Sequence, residues 1–180
     1  VDGGNHVTVL QQNGGSLDEI GSVRNLAPGE RIFAVRMMGD KGYVVTFEQV
    51  DPLFTLDLST PTNPRVMGEL KINGFSSYIH PLGDDHLMTI GQDADAEGRV
   101  QGVHLQIFDV SDMTDPERVF QENITTGDWS SWSEAMWDHH AFTYHPGRNM
   151  LAFPINIYQW DDYSGNNFSG LLVYRADAQN

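Results

Sequence analysis

Seven residues, Asp93-Ala94-Asp95-Ala96-Glu97-Gly98-Arg99, set three carboxylates at alternate positions with a glycine behind them. That spacing suits a hard cation, because alternate side chains converge where the chain bends and the glycine allows the sharp turn. Asp93, Asp95 and Glu97 would supply side-chain oxygens and Arg99 its backbone carbonyl, so Ca²⁺ is the expected cofactor, in a structural role. An EF-hand would need a bidentate glutamate at loop position twelve, and that position is His104. The plainer alternative is an acidic, solvated hairpin in an already acidic chain.

A second concentration of chemistry lies at 127–142, GDWSSWSEAMWDHHAF, which holds Trp129, Trp132, Trp137, Glu134, Asp138, His139 and His140. Such a set could be a sugar-stacking platform, a metal site or an acid/base site. Read as strand neighbours, His139 and His140 would point to opposite faces and could not readily share an ion. The tryptophans are therefore expected to seal an insertion against the rest of the fold, with one histidine bonded in the core. His80, His86 and His104 are scattered over strands and read as core or surface residues. No nucleophile elbow, phosphate-cradling glycine loop or His-Glu-x-x-His helix occurs, so no catalytic residue is assigned. The triplets at Asn123 and Asn167 match the glycosylation pattern, which also arises by chance.

The elements that must position these residues follow from a repeat. LDLSTPTNPRVMGEL at 56–70 returns as FDVSDMTDPERVFQE at 108–122, aligning Asp57 with Asp109, Ser59 with Ser111, Thr62 with Thr114 and Pro64 with Pro116 at an offset of 52. Each copy reads as a strand, a polar turn closed by proline, then a second strand, with the aspartates capping the turns. Around the copies, alternating apolar runs and Gly-Asp turns at 39–40 and 83–84 give strands at 31–38, 43–49, 54–59 and 66–72. The cycle restarts at 76–82, 86–92, 103–111 and 117–124. A hairpin turning at Asn13-Gly14-Gly15 precedes them, and strands at 139–145, 149–159 and 169–176 follow an insertion at 125–138. No long 3.6-residue apolar stripe appears, so helix should be scarce. A recurring unit near 50 residues with four strands is the mark of an all-β propeller built from four-stranded antiparallel sheets. The expected organisation is one propeller segment over 1–180. Its complete blades are at about 31–72 and 76–124, and partial ones at about 1–25 and 139–176. Strand counts of two, four, four and three do not close a ring, which suggests a partial propeller, an internal piece of a larger one.

The formal net charge of −15 disfavours nucleic acid and anionic membrane surfaces as partners. With no cysteine, there is no disulfide frame and no thiolate chemistry. No apolar run of about 18 residues occurs, so this segment is not expected to insert in a membrane. The chain opens on Val1 without methionine or signal peptide, and is expected to begin inside a longer precursor.

The run from Gly39 to Asp112 (GDKGYVVTFEQ to FDVSD), together with SEAMWDHHAFTYHPGRNMLAFPI at 133–155, resembles secreted bacterial and archaeal proteins with a C-terminal β-propeller domain, distantly related to WD40 repeats. The resemblance extends roughly from Arg31 to Ala176. It implies a longer parent chain, an extracellular or cell-surface location and a propeller fold, and it implies no activity. The hairpin at 93–99 is also similar to calcium loops of some propellers, although those carry a further aspartate where this chain has Gln101. Two functions stay open: a non-catalytic extracellular binding or scaffolding propeller stiffened by calcium, or a polymer-acting hydrolase or lyase using Glu134, Asp138 and His139. In the first, the partners would be a protein or polysaccharide ligand and the remaining blades of the parent propeller.

Overall fold

The computed structural model describes residues 4–47, 51–72, 74–95, 99–125, 129–159 and 167–176. It is almost entirely β. A hairpin of β1 (Asn5–Asn13) and β2 (Ser16–Leu26) precedes a four-stranded antiparallel sheet of β3 (Arg31–Met38), β4 (Lys41–Phe47), β5 (Asp51–Asp57) and β6 (Arg65–Ile72), in that order. A second sheet repeats the plan with β7 (Phe75–Leu82), β8 (His86–Ala94), β9 (Val100–Asp109) and β10 (Glu117–Asn123). The third contains β11 (Trp129–Trp132), β12 (Thr143–His145), β13 (Met150–Gln159) and β14 (Phe168–Arg175). Among the described residues there are three single 3-10 turns and no helix long and apolar enough to cross a membrane.

Burial follows strand position. The middle strands β4, β8 and β9 are nearly continuous buried runs, as expected of strands covered on both faces, whereas β6 and β10 are largely exposed. Three apolar clusters fill the spaces between successive sheets. Leu26, Val44, Phe54 and Leu56 join the first hairpin to the first sheet. Tyr43, Leu53, Ile79, Leu87 and Phe108 lie between the first and second sheets. Ile90, Val103, Phe142, Leu151, Phe153 and Ile155 lie between the second and third. The sheets thus stack face on face through the chain, with the first strands β3 and β7 side by side.

The repeated turn does two things. Locally, Asp57 Oδ1 accepts the Ser59 N–H at 2.9 Å and Asp109 Oδ1 accepts that of Ser111 at 2.9 Å, the capping expected from the sequence. The Ser59 hydroxyl first, then Arg65, holds the Asp57 carboxyl down at about 2. The turn also reaches the preceding sheet. Residues 61–64 close over Gly21 of β2, and residues 113–116 over Gly68 of β6, so tightly that a Cβ at either glycine would lie within 2.5 Å of a backbone carbonyl.

The third sheet corrects the expected layout. Residues 129–132 are not part of an insertion outside the sheet, and 139–141 are not strand. β11 pairs with the far half of β13 (Trp132 opposite Asn156) and β12 with the near half (Thr143 opposite Ala152), so the two are halves of one first strand. Between them residues 133–142 leave the ladder and make 3-10 turns at Glu134–Met136 and His139–Ala141. The departure falls opposite Pro154, which has no N–H to offer a ladder. The Ser133 hydroxyl donates to the Pro154 carbonyl at 2.6 Å and accepts the Ala135 N–H at 3.1 Å, which fixes where the chain swings out. The first strands of the other sheets are irregular nearby, with shifts of register at Phe33 and Ser77.

Candidate functional site

The excursion buries Ala135, Met136 and Phe142 against the second and third sheets and leaves Glu134, Trp137, Asp138, His139 and His140 outward. With β3 and β7 it borders an open cavity of about 340 Å³ whose lining includes Arg36, Ser77, Tyr78, Trp137 and His139. The bulge in β7 sits at Ser77, and such bulges re-aim a side chain. Trp137 is 65% exposed and stacks on Trp132 at 5.7 Å between centroids and 15° between planes. This corrects the expectation that the tryptophans seal the segment: Trp132 and Trp137 form an exposed aromatic slab beside the cavity.

Behind the slab, Tyr78 stacks on His139 at 6.5 Å and meets Phe142 edge-on at 5.1 Å. His80 lies 3.3 Å from the Tyr78 hydroxyl through Nδ1 and packs edge-on against Tyr144. Burial, and then the charge of Arg36, pushes the His80 pKa down, favouring a neutral imidazole.

Asp138, His139 and His140 also differ from expectation. On a strand the two histidines would diverge; on the 3-10 turn that Asp138 caps, their rings lie 4.0 Å apart. One ligand atom from each of Asp138, His139 and His140 falls within 4.8 Å of the others, close enough to share an ion, and all three residues are exposed. A mixed nitrogen and oxygen set of this kind suits a borderline cation such as zinc. The Asp138 carboxyl accepts the His140 N–H at 2.9 Å and lies 3.0 Å from His140 Nδ1, and these bonds, the backbone one first, hold its pKa below the usual range. Glu134 is exposed on the same excursion and is not in the cavity lining.

The hairpin at 93–99 places its acids in different surroundings. Half-buried Asp93 accepts a hydrogen bond from Asn123 Nδ2 at 2.7 Å and lies 4.0 Å from buried His104. Burial raises the Asp93 pKa, and burial pushes that of His104 down to about 4. Asp95 turns back on its own hairpin, taking the Arg99 N–H at 2.9 Å, Arg99 Nε at 2.7 Å and Gln101 Nε2 at 3.0 Å. The Arg99 carbonyl accepts from the Asp95 N–H at 3.0 Å. Glu97 lies outside the described residues.

Comparison with known proteins agrees with this architecture. The family described as the beta propeller domain matches residues 1–180. The chain belongs to that β-propeller family. An uncharacterized protein of Methanocaldococcus jannaschii is 40% identical over 150 residues, which is 83% of this chain and 22% of that protein. One from Archaeoglobus fulgidus, also uncharacterized, is 43% identical over 142 residues, 77% of this chain and 21% of the relative. This β-propeller chain therefore spans about a fifth of the length of the curated relatives it matches. A solved Bacteroides uniformis structure, whose name carries a provisional 6-phosphogluconolactonase assignment, covers 97% of this chain and 68% of its own at 11% identity. Its TM-score is 0.33, too low to carry any argument.

The cavity was missed by reasoning from sequence because it draws on three first strands far apart in the chain. Arg36 had no signal of its own. Pro154, in the middle of the run MLAFPINIYQ, was the available sign that a neighbouring strand must break there.

Proposed function

We propose that this β-propeller segment binds a saccharide outside the cell and performs no chemistry on it. The observation that carries the reading is the exposed Trp132–Trp137 stack beside a cavity also faced by Tyr78. Large aromatic faces left in water are unfavourable unless something covers them, and the apolar face of a sugar ring does so while its hydroxyls reach polar neighbours such as Ser77. Calcium on the hairpin at 93–99 is the structural part of the proposal. It rests on Asp93, Asp95 and the Arg99 carbonyl lying on one hairpin, and it requires the Arg99 side chain to leave Asp95. The test is tryptophan fluorescence titrated with a panel of oligosaccharides, comparing the native chain with Trp137→Ala. Saturable quenching lost in the variant is expected; no response to any member overturns the reading.

A second reading, a polymer-acting hydrolase, gains from the grouping of Asp138, His139 and His140, of which His139 lines the cavity. The Asp138–His140 pair resembles a carboxylate orienting a histidine base. Turnover of the same panel, abolished by His140→Ala with the fold intact, would favour it over simple binding.

A further inference from the structure

Arg36 is a charged group of the cavity with no carboxylate partner among the described residues. It stands on β3, half-buried, and its Nε is shut off from solvent without a hydrogen-bond partner. Acids outnumber bases by 25 to 10, and Arg24, Arg65 and Arg99 each hold a carboxylate on the surface. No ion pair forms at Arg36 among the described residues, although an acid facing it was the simplest sequence solution. Taking a guanidinium partly out of water without a counter-ion is unfavourable, and an arriving oxyanion relieves that cost. Its planar fork matches carboxylate and phosphate geometry in a bidentate manner.

Resting on the saccharide reading, we propose that the cavity recognises an acidic sugar, its ring against Trp137 and Tyr78 and its carboxylate or phosphate on Arg36. The overall charge of −15 repels a polyanion, so the ligand bears isolated acid groups among neutral sugars rather than one on every residue. Ser77, beside Tyr78 in the lining, offers a hydroxyl to the ring.

The experiment is calorimetric titration of the full chain and of Arg36→Gln and Trp137→Ala. The probes are a neutral trisaccharide, trisaccharides carrying one glucuronate, galacturonate or mannuronate, the same neutral sugar carrying one phosphate, and polygalacturonate. The expected result is at least tenfold preference for a singly charged sugar over its neutral counterpart, lost in Arg36→Gln while neutral binding survives. Trp137→Ala should weaken charged and neutral sugars alike. Carboxylate and phosphate arms identify which acid is used. Equal affinity for charged and neutral sugars, or an Arg36→Gln variant that keeps the preference, overturns the acidic-sugar inference and leaves saccharide binding standing. Failure of every sugar overturns both. Polygalacturonate binding more tightly than the singly charged probes overturns the preference for isolated charges.

Discussion

Gly68 of β6 lies under Pro116 of the next sheet so closely that a Cβ would stand 2.9 Å from Pro116 Cδ and 2.5 Å from the Met113 carbonyl oxygen. The same carbonyl accepts the Thr55 hydroxyl at 2.5 Å, so the turn of the second sheet is latched onto the first by contact and by hydrogen bond. Gly21 repeats the relationship under Pro61, Thr62 and Pro64. The turn repeat is thus a joint between sheets as well as a local turn.

Gly68→Ala should therefore push the latch away. Backbone atoms on both sides cannot rotate aside as a side chain could, so the expected loss is about 2–3 kcal/mol, seen as a lower thermal midpoint. Gly15→Ala is the control, since a Cβ there meets nothing within 4 Å. A Gly68→Ala variant as stable as the control would show that the joint is loose.

Much of this architecture is legible in the sequence, and the reasons are local. The alternating run RIFAVRMM reports a strand with one face against its neighbours, the short apolar run in HLMTIGQ reports one covered on both faces, and Gly39-Asp40 and Gly83-Asp84 mark the tight turns. What was not legible depends on distance. Gly21 and Gly68 look like ordinary strand glycines until a turn far along the chain, at 61–64 or 113–116, is placed on them. In the same way, His139 and His140 share a side only because Asp138 caps a 3-10 turn where strand was expected, a local hydrogen bond overriding alternation.

Ser133 governs the excursion that builds the cavity. It is fully buried, and its hydroxyl serves the Pro154 carbonyl and the Ala135 N–H at once. Ser133→Ala leaves both without that partner and should cost about 1–3 kcal/mol. Hydrogen exchange should quicken at Ala135 and Met136 while β8 and β9 stay protected. Uniform quickening through all sheets would assign Ser133 a general rather than a local role.

Tyr174 joins the third sheet to the second by donating its hydroxyl to Glu122 at 3.2 Å. Burial first, and then the Glu122 charge, pushes its pKa up to about 12. In the unfolded chain the phenol titrates near 10. A raised folded pKa means that this contribution is whole below pH 10 and is lost as pH climbs towards 12. Tyr174→Phe should accordingly lose less stability between pH 10 and 12 than the native chain does. Identical alkaline profiles would show that the phenol is not held protonated by the fold.

The hairpin at 93–99 gives the last prediction, because its geometry sets a competitor against the proposed ion. Arg99 Nε already occupies the Asp95 carboxylate at 2.7 Å, so calcium must displace a cation that is covalently on hand. Removing that side chain leaves the backbone carbonyl in place. Arg99→Ala should therefore strengthen the calcium response, whereas Asp95→Ala should abolish it. The readout is the rise in thermal midpoint with calcium, which follows mass action when only the folded chain binds. Magnesium at matched ionic strength separates a cage from general screening of an acidic surface, since the smaller ion demands stricter octahedral geometry. A saturable response to calcium alone, larger in Arg99→Ala and absent in Asp95→Ala, is the expected pattern. If all three proteins respond alike, the cation is held elsewhere, and the Asp95–Arg99 pair is simply the closure of the hairpin.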